Sequence, residues 1–268
     1  MTRPVIALVA IVIALGLHAR VDAQRGGGPA APPQVPQAAA PIDLTGYWVS
    51  IVTQDWRWRM VTPAKGDYQG IQLTPEGRKI ADAWDPATDE AAGEQCRSYG
   101  APALMGVPGR LHITWQDERT LKVDTDAGMQ TRLLRFGNDQ APANTPRTWQ
   151  GVSVAQWQMP RGNVPLILRP VERTADAPPL RPSGGSLRVV TTQLRAGYLR
   201  KNGVPYSENA VLTEYWDVYK RPNGEEWLTI TAQVDDPQYL RSPRLAAPVF
   251  KKEPDNAKWD PTPCSSRW

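Results

Sequence analysis

The sequence predicts an all-β fold, mainly antiparallel, in which about eight to ten strands close into a barrel with one short helix near residues 75–84. Three observations carry this. About nine segments are rich in β-branched and aromatic residues or alternate apolar with polar ones, polar turns separate most of them, and no strand–helix–strand rhythm appears.

Leu44 to Thr53 (LTGYWVSIVT) opens the series. Arg110 to Trp115, Arg119 to Thr125 and Met129 to Phe136 follow one another across the turns Gln116-Asp117-Glu118 and Asp126-Ala127-Gly128, a meander of hairpins. Gly151 to Gln158 alternates, and Leu187 to Leu194 starts after Gly184-Gly185. Val211 to Tyr219 and Glu226 to Val234 are joined through Pro222-Asn223-Gly224, a strong hairpin signal. Ala247 to Lys252 is the last strand. The helix is capped by Thr74, starts on Pro75, carries Glu76 at its positive dipole end and stops at Pro86. A short helical turn fits Ala101 to Met105. Residues 137–148 and the Pro- and Arg-rich 160–182 read as loops, the second long enough for a lid or binding loop.

The first residues read as an export signal. Arg3 gives a positive start, Val5 to Leu17 is apolar and Val21-Asp22-Ala23 suits cleavage after Ala23, so residues 1–23 form a signal peptide. The alternative, an N-terminal core helix, lacks polar residues at helical spacing. Residues 24–41 (QRGGGPAAPPQVPQAAAP) form a flexible Pro/Ala/Gly tether, and 42–268 a single barrel domain. The apolar run is too short to span a bilayer, so no membrane span is expected and the product is periplasmic or secreted. The leader holds Arg3, Arg20 and Asp22, so its loss lowers the net charge of +4 by one. The charges are interspersed, with no basic stripe, and no nucleic-acid partner is expected. The only two cysteines, Cys96 and Cys264, are expected to pair in an oxidising compartment, the alternative being two separate buried thiols; closing so long a loop contributes roughly 5 kcal/mol in the chain-entropy treatment.

Several clusters can carry chemistry. In Gln54 to Met60 (QDWRWRM) an extended strand puts Asp55, Arg57 and Arg59 on one face and Trp56 and Trp58 on the other. The arginines then either fix an anionic ligand group or stay solvated over buried tryptophans. The stretch DEAAGEQC, with Asp89, Glu90 and Glu94, is either a carboxylate cluster or a solvated acidic turn. Tyr198 to Tyr215 gathers Tyr198, Arg200, Tyr206, Ser207 and Glu214 around the turns at Asn202-Gly203 and Pro205. It is either a pocket mouth, with a tyrosine pKa lowered by a nearby arginine, or a hydrogen-bonded hairpin connection. His112, in the strand LHITW, reads as a core residue. There is no G-x-S-x-G, no glycine-rich nucleotide loop and no metal-ligand spacing, so no cofactor and no metal are expected. The eleven tryptophans, against two phenylalanines, fill the barrel or wall a cavity.

Asp43-Leu44-Thr45-Gly46-Tyr47-Trp48 resembles the G-x-W opening strand of lipocalin-like barrels. Trp149 to Ser153 with Trp157, Gly203-Val204-Pro205-Tyr206-Ser207 leading to Leu212-Thr213-Glu214, and Asp236-Pro237 resemble a family of secreted bacterial β-barrel proteins of uncharacterised activity. That family often has histidine where Tyr206 stands. The resemblance implies the fold rather than a reaction.

The first expectation is a lipocalin-like protein whose partner is a small apolar or aromatic ligand, with Trp48, Trp56, Trp58, Arg59, Tyr198 and Arg200 as the ligand-binding residues. The second is a cofactor-independent hydrolase, lyase or isomerase on the same barrel. Tyr206 and Glu214 are then the acid/base pair and Arg57 the electrophilic stabiliser. The third is an envelope protein that meets a macromolecular partner and takes no small ligand. A cavity gathering Tyr206, Glu214 and Arg57 favours the enzyme, one walled by tryptophan with no titratable pair favours binding, and a filled barrel sinks both.

Overall fold

Nine strands hydrogen-bond in a ring in this computed structural model, which describes residues 35–53, 56–137, 144–159 and 184–267. The leader, the first part of the tether and the long loop 160–182 lie outside the described residues. The strands are β1 (Gly46–Ile51), β2 (Arg110–Asp117), β3 (Thr120–Thr125), β4 (Thr131–Phe136), β5 (Val152–Gln158) and β6 (Ser186–Thr192), then β7 (Gly197–Tyr198), β8 (Pro205–Tyr206), β9 (Val211–Lys220), β10 (Glu226–Asp235), β11 (Arg244–Ala246) and β12 (Val249–Glu253). The ring runs β1-β2-β3-β4-β5-β6-β9-β10-β12 and returns to β1, where Trp48 lies opposite Lys252. β11 shares the edge of β10 with β12, and β7 pairs with β8 as a separate two-stranded unit.

Each of the nine expected strands forms, shifted at the ends by at most a few residues. One pairing departs from the antiparallel pattern. β4 and β5 run parallel, with Leu134 opposite Ser153 and Phe136 opposite Ala155, because the connection 137–151 is long enough to return the chain to the same end.

The alternation decides what fills the ring. Trp48, Leu111, Ile113, Leu121, Val123, Leu134, Phe136, Leu187, Val189, Trp216, Leu228, Ile230 and Phe250 all point inward and are buried. Trp48 donates from its indole to the Leu44 carbonyl at 2.9 Å. The inner faces of Trp48, Ile113, Val123, Leu134, Leu187, Val189, Trp216, Leu228 and Ile230 have no surface that a water-sized sphere can touch. The middle of the barrel is therefore filled by side chains, with no room for water against them.

A second core, built on Tyr68, Leu73, Ala81, Leu199, Val204, Tyr206 and Leu240, joins Leu212, Ala232 and Val234 and so covers the end where β9 begins and β10 ends. It is made by α2 (Pro75–Ala83), the loop before it and the β7–β8 hairpin. Thr74 Oγ1 accepts from Gly77 N at 3.1 Å, as the capping pattern requires. Pro86 does not simply stop this helix. Asp85 caps α3 (Pro86–Ala91) through Ala87 N, and proline fits its first turn, where no intrahelical donor is needed. The acidic stretch 89–94 is thereby helical in its first half, not a solvated turn.

The segment 56–59 is likewise a short helix, α1 (Trp56–Arg59), not a strand. Arg59 decides its conformation by donating to Gly106 O and Ser50 Oγ, both at 2.8 Å, contacts that no local alternation encodes. A 3-10 turn (Gln95–Tyr99) and α4 (Ala101–Leu104) follow. Cys96 in that turn is disulfide-bonded to Cys264, 168 positions on. The contacts of the barrel reach back past Ile42: Gln37 N donates to Glu118 O, and the Trp157 indole donates to Pro36 O at 2.8 Å. Among the described residues no helix is long and apolar enough to cross a membrane.

Candidate functional site: a cationic cleft at the barrel end

The three residues expected to form an acid/base site occupy three different environments. Glu214 points into the barrel from β9 and receives both terminal nitrogens of Arg132, at 2.6 and 3.0 Å. Arg132 also donates to Thr191 Oγ1 at 3.3 Å, and Thr191 shares a hydrogen bond with Ser153. All four side chains are sealed in the core. The charges neutralise one another there, and nothing small can reach them. Tyr206 lies in β8, inside the second core, its hydroxyl pressed against Gly100 and Gly197, where an added Cβ would fall 2.0 and 2.6 Å from it. Burial pushes its phenol up, outweighing the opposite pull of Arg97 and Arg195. Tyr198 behaves the same way, with Arg97 over its ring at 4.6 Å and its hydroxyl 3.3 Å from Asp89 Oδ1. An arginine beside a tyrosine therefore does not lower the pKa here, because desolvation of the phenolate is the larger effect. Arg57 is exposed and paired with Asp67 at 2.8 Å.

The acidic residues expected as a cluster are each held by a cation. Asp89 is buried against Arg97, Glu94 is bidentate with Arg195, and Glu90 takes Arg267 and Ser266, hydrogen bonds that lower its pKa. Among the described residues no three His, Cys, Asp or Glu side chains are gathered closely enough to hold a metal ion. His112 is on the outer face of β2, stacked on Tyr47 at 4.1 Å with Trp259 edge-on, not in the core.

Of the ligand-binding set, Trp48 is committed to the barrel core, Tyr198 is buried against Arg97 and Asp89, and Trp56 is exposed. The other three, Trp58, Arg59 and Arg200, meet at a cleft, where Lys201, Arg244 and Ser98 join them over a floor of Val107 and Leu199. The cleft holds about 40 Å³. That is space on the order of three waters, the size of a carboxylate or phosphate group. Arg200 donates to Gln69 O at 2.8 Å, and Gln69 belongs to a separate, more open depression of about 350 Å³ along Tyr68 to Gln72 and Arg78.

The chain builds this site by turning sharply. Leu199 N donates to Val204 O at 2.7 Å and Gly203 N to Arg200 O at 3.3 Å, which throws Arg200 and Lys201 to one side of the turn. Gly203 is at φ +80 with its α-carbon facing Trp84, where a Cβ would come within 2.2 Å of that side chain. Asn202, fully buried, donates to Ala64 O and Asp67 O and pins the turn to the loop that carries the depression. Trp58 is flanked by two guanidiniums, Arg200 at 4.7 Å and Arg57 at 5.6 Å from its ring. Lys201 is almost wholly buried, with Nζ 2.6 Å from the Tyr99 hydroxyl and 4.6 Å from its ring centre. Burial lowers its pKa to about 8.

The sequence marked Trp58, Arg59 and Arg200 but neither Lys201 nor Arg244, which are brought in by the fold. The signal for Lys201 lay in the tight turn Lys201-Asn202-Gly203, which follows the apolar Tyr198-Leu199 after Arg200. Arg132 was legible as well, since TRLLRF puts Arg132 on the same face as Leu134 and Phe136. The sequence matches no protein family profile, no curated protein and no solved structure.

Proposed function

We propose that this protein binds a small molecule with an acidic group and an apolar or aromatic body, held at the end of the barrel and not inside it. The observation that carries the reading is a cleft walled by Trp58 on which Arg59, Arg200, Lys201 and Arg244 converge; each of the four also has a partner within the protein, so a bound acid shares their donors with it. Guanidiniums offer a planar donor fork to carboxylate or phosphate, and an indole face offers contact to a flat apolar body. The volume suits the acidic group alone, and the face of Trp58 gives the body a surface to lie on. The solid interior removes the usual lipocalin position for a ligand. It also leaves no cavity joining Tyr206, Glu214 and Arg57, so the acid/base reading loses its geometric basis.

We place the protein outside the cytoplasm, in the periplasm or the medium, among secreted bacterial barrels of the G-x-W type. The Cys96–Cys264 bond and the strand order support that placement. The test is calorimetric titration with benzoate and with benzamide, its neutral analogue of similar shape. Benzoate is expected to bind at least about tenfold more tightly, and Arg200→Gln is expected to remove most of the difference. Equal binding of the two compounds, or equal binding by the variant, would refute the reading.

A further inference from the structure

We propose that the segment Trp56 to Val61 is a docking tip that seats this end of the barrel on an anionic lipid surface. The proposal does not depend on what the cleft binds.

The tip is apolar where a protein surface is ordinarily polar. Trp56, Met60 and Val61 are 63 %, 53 % and 55 % exposed. Met60 N donates to Trp56 O at 2.9 Å, so the two side chains stand one turn apart on the same side of α1. Trp58, two residues after Trp56, lines the cleft instead. Large apolar side chains grouped in the open mark a contact surface, because they add nothing to the core. The base beneath them is rigid. Arg59 fastens the segment to Gly106 O and Ser50 Oγ, and Arg57 fastens it to Asp67. The bonds that hold the helix thus leave its outer side uncovered.

Charge selects the partner. Basic and acidic side chains nearly cancel from residue 55 to 82. The surplus comes from two other segments that hold no carboxylate, 199–203 with Arg200 and Lys201, and 240–246 with Arg241 and Arg244. Asp236, which precedes the second, is buried against Ser207. Both segments reach the loop that follows α1: Arg200 donates to Gln69 O and Arg241 N to Gln72 O, each at 2.8 Å. Gln69 Oε1 accepts from Arg57 at 3.5 Å, which ties that loop to α1, and the exposed Lys65 lies in it. Attraction to a charged surface acts through space over about 10 Å at 0.1 M salt, so it asks for net charge and not for open donors. The hydrogen bonds that these side chains already make within the protein do not oppose it. An apolar tip with an indole, bordered by positive charge, matches the layer where lipid headgroups meet acyl chains. The indole settles at that depth while the cations face the phosphates. A second copy offering the same end would bring like charges together, which disfavours it as the occupant.

The experiment is co-sedimentation of the whole protein with vesicles, made either of phosphatidylcholine alone or with a third of phosphatidylglycerol. Binding to the phosphatidylglycerol vesicles is expected to be at least about tenfold stronger at low salt. It should fall toward the phosphatidylcholine level at about 1 M salt, where the screening length shrinks to about 3 Å. Trp56→Ser combined with Met60→Ser is expected to weaken binding to the anionic vesicles by about tenfold or more, since it removes the groups that enter the acyl boundary. Lys65→Glu combined with Arg241→Glu is expected to weaken it as well, by reversing charge. One readout needs no variant. Trp56 is the tryptophan most open to water among the described residues, so iodide should quench it in the free protein. Anionic vesicles are expected to shield it and to shift the emission to the blue. Equal binding to the two kinds of vesicle, binding to neither, or full binding by the Trp56→Ser, Met60→Ser variant would overturn the proposal. So would a dimer, seen by analytical ultracentrifugation without vesicles, that the same variant abolishes, for the tip would then be covered by a second copy.

Discussion

Replacing Glu214 with leucine would strip the Arg132 guanidinium of both oxygens that face it. In the folded protein those oxygens lie at 2.6 and 3.0 Å, and neither side chain is more than 1 % exposed. What remains for Arg132 is Thr191 Oγ1 at 3.3 Å, while its Nε already has no partner. A full charge is then left in a space that admits no water. Removing one member of such a pair costs about 3–5 kcal/mol, because the survivor keeps its desolvation penalty and loses the compensation. Arg132→Met should cost a similar amount, reduced by whatever the carboxyl recovers on taking up a proton. The double variant is the decisive one. With both charges gone the same volume is filled by apolar groups, and the protein should return to within about 1–2 kcal/mol of its original stability. The coupling between the two sites should therefore exceed about 3 kcal/mol, which is large for one pair. Urea unfolding of the four proteins, with the disulfide intact, measures it. Single variants that lose less than about 1 kcal/mol, or a double variant whose loss is the sum of the two, would refute the picture of a sealed, mutually dependent pair.

Three further outcomes are expected. Reducing Cys96–Cys264 should lower stability by up to about 5 kcal/mol, because it releases a loop of 168 positions; an unchanged urea midpoint in reductant would contradict this. Gly203→Ala should lower the melting temperature by several degrees and weaken benzoate binding together, since a Cβ there meets Trp84 at 2.2 Å in a left-handed backbone; loss of neither would count against the turn as the positioning element. Lys201 titrates near 8 when folded but at its ordinary, higher value when unfolded, so from about pH 8 upward the unfolded chain holds more protons and stability should rise with pH. That rise should end near pH 10, where the upward-shifted Tyr99, Tyr198 and Tyr206 begin to favour the reverse trend, and Lys201→Met should flatten it in urea titrations across the window.

The strands could be read from the sequence because each one states its own inner face. LHITW and TLKV alternate residue by residue, and the hairpin turns use the expected polar residues; VLTEYW is marked as a strand by its β-branched and aromatic residues instead. The parallel contact of β4 with β5 could not be read, since it depends on where the connection 137–151 returns and not on either strand. Trp56–Arg59 misled for a related reason. A four-residue alternation fits a strand, but the partners of Arg59 are Gly106 and Ser50, distant in sequence. In the site, Trp58, Arg59 and Arg200 stood out by residue type, whereas Lys201 was one lysine among several until burial and Tyr99 set it apart. Glu214 was singled out too, but its partner is Arg132, 82 positions away, not Tyr206 or Arg57.

The way the ring is closed sets an order on the birth of the molecule. β1, the first strand, pairs on one side with β12, one of the last, through Tyr47 to Ile51 against Val249 to Glu253. Until the final segment has emerged, from a ribosome or through a membrane, β1 and β10 each present an open row of amide donors and acceptors. The nascent barrel is thus a curved sheet with two adhesive borders for nearly the whole of its synthesis, and the slow, sequence-distant closure is the step at which neighbouring chains compete with the chain's own end. Chains cut just before Val249 are expected to be found in aggregates rather than as a loosened monomer.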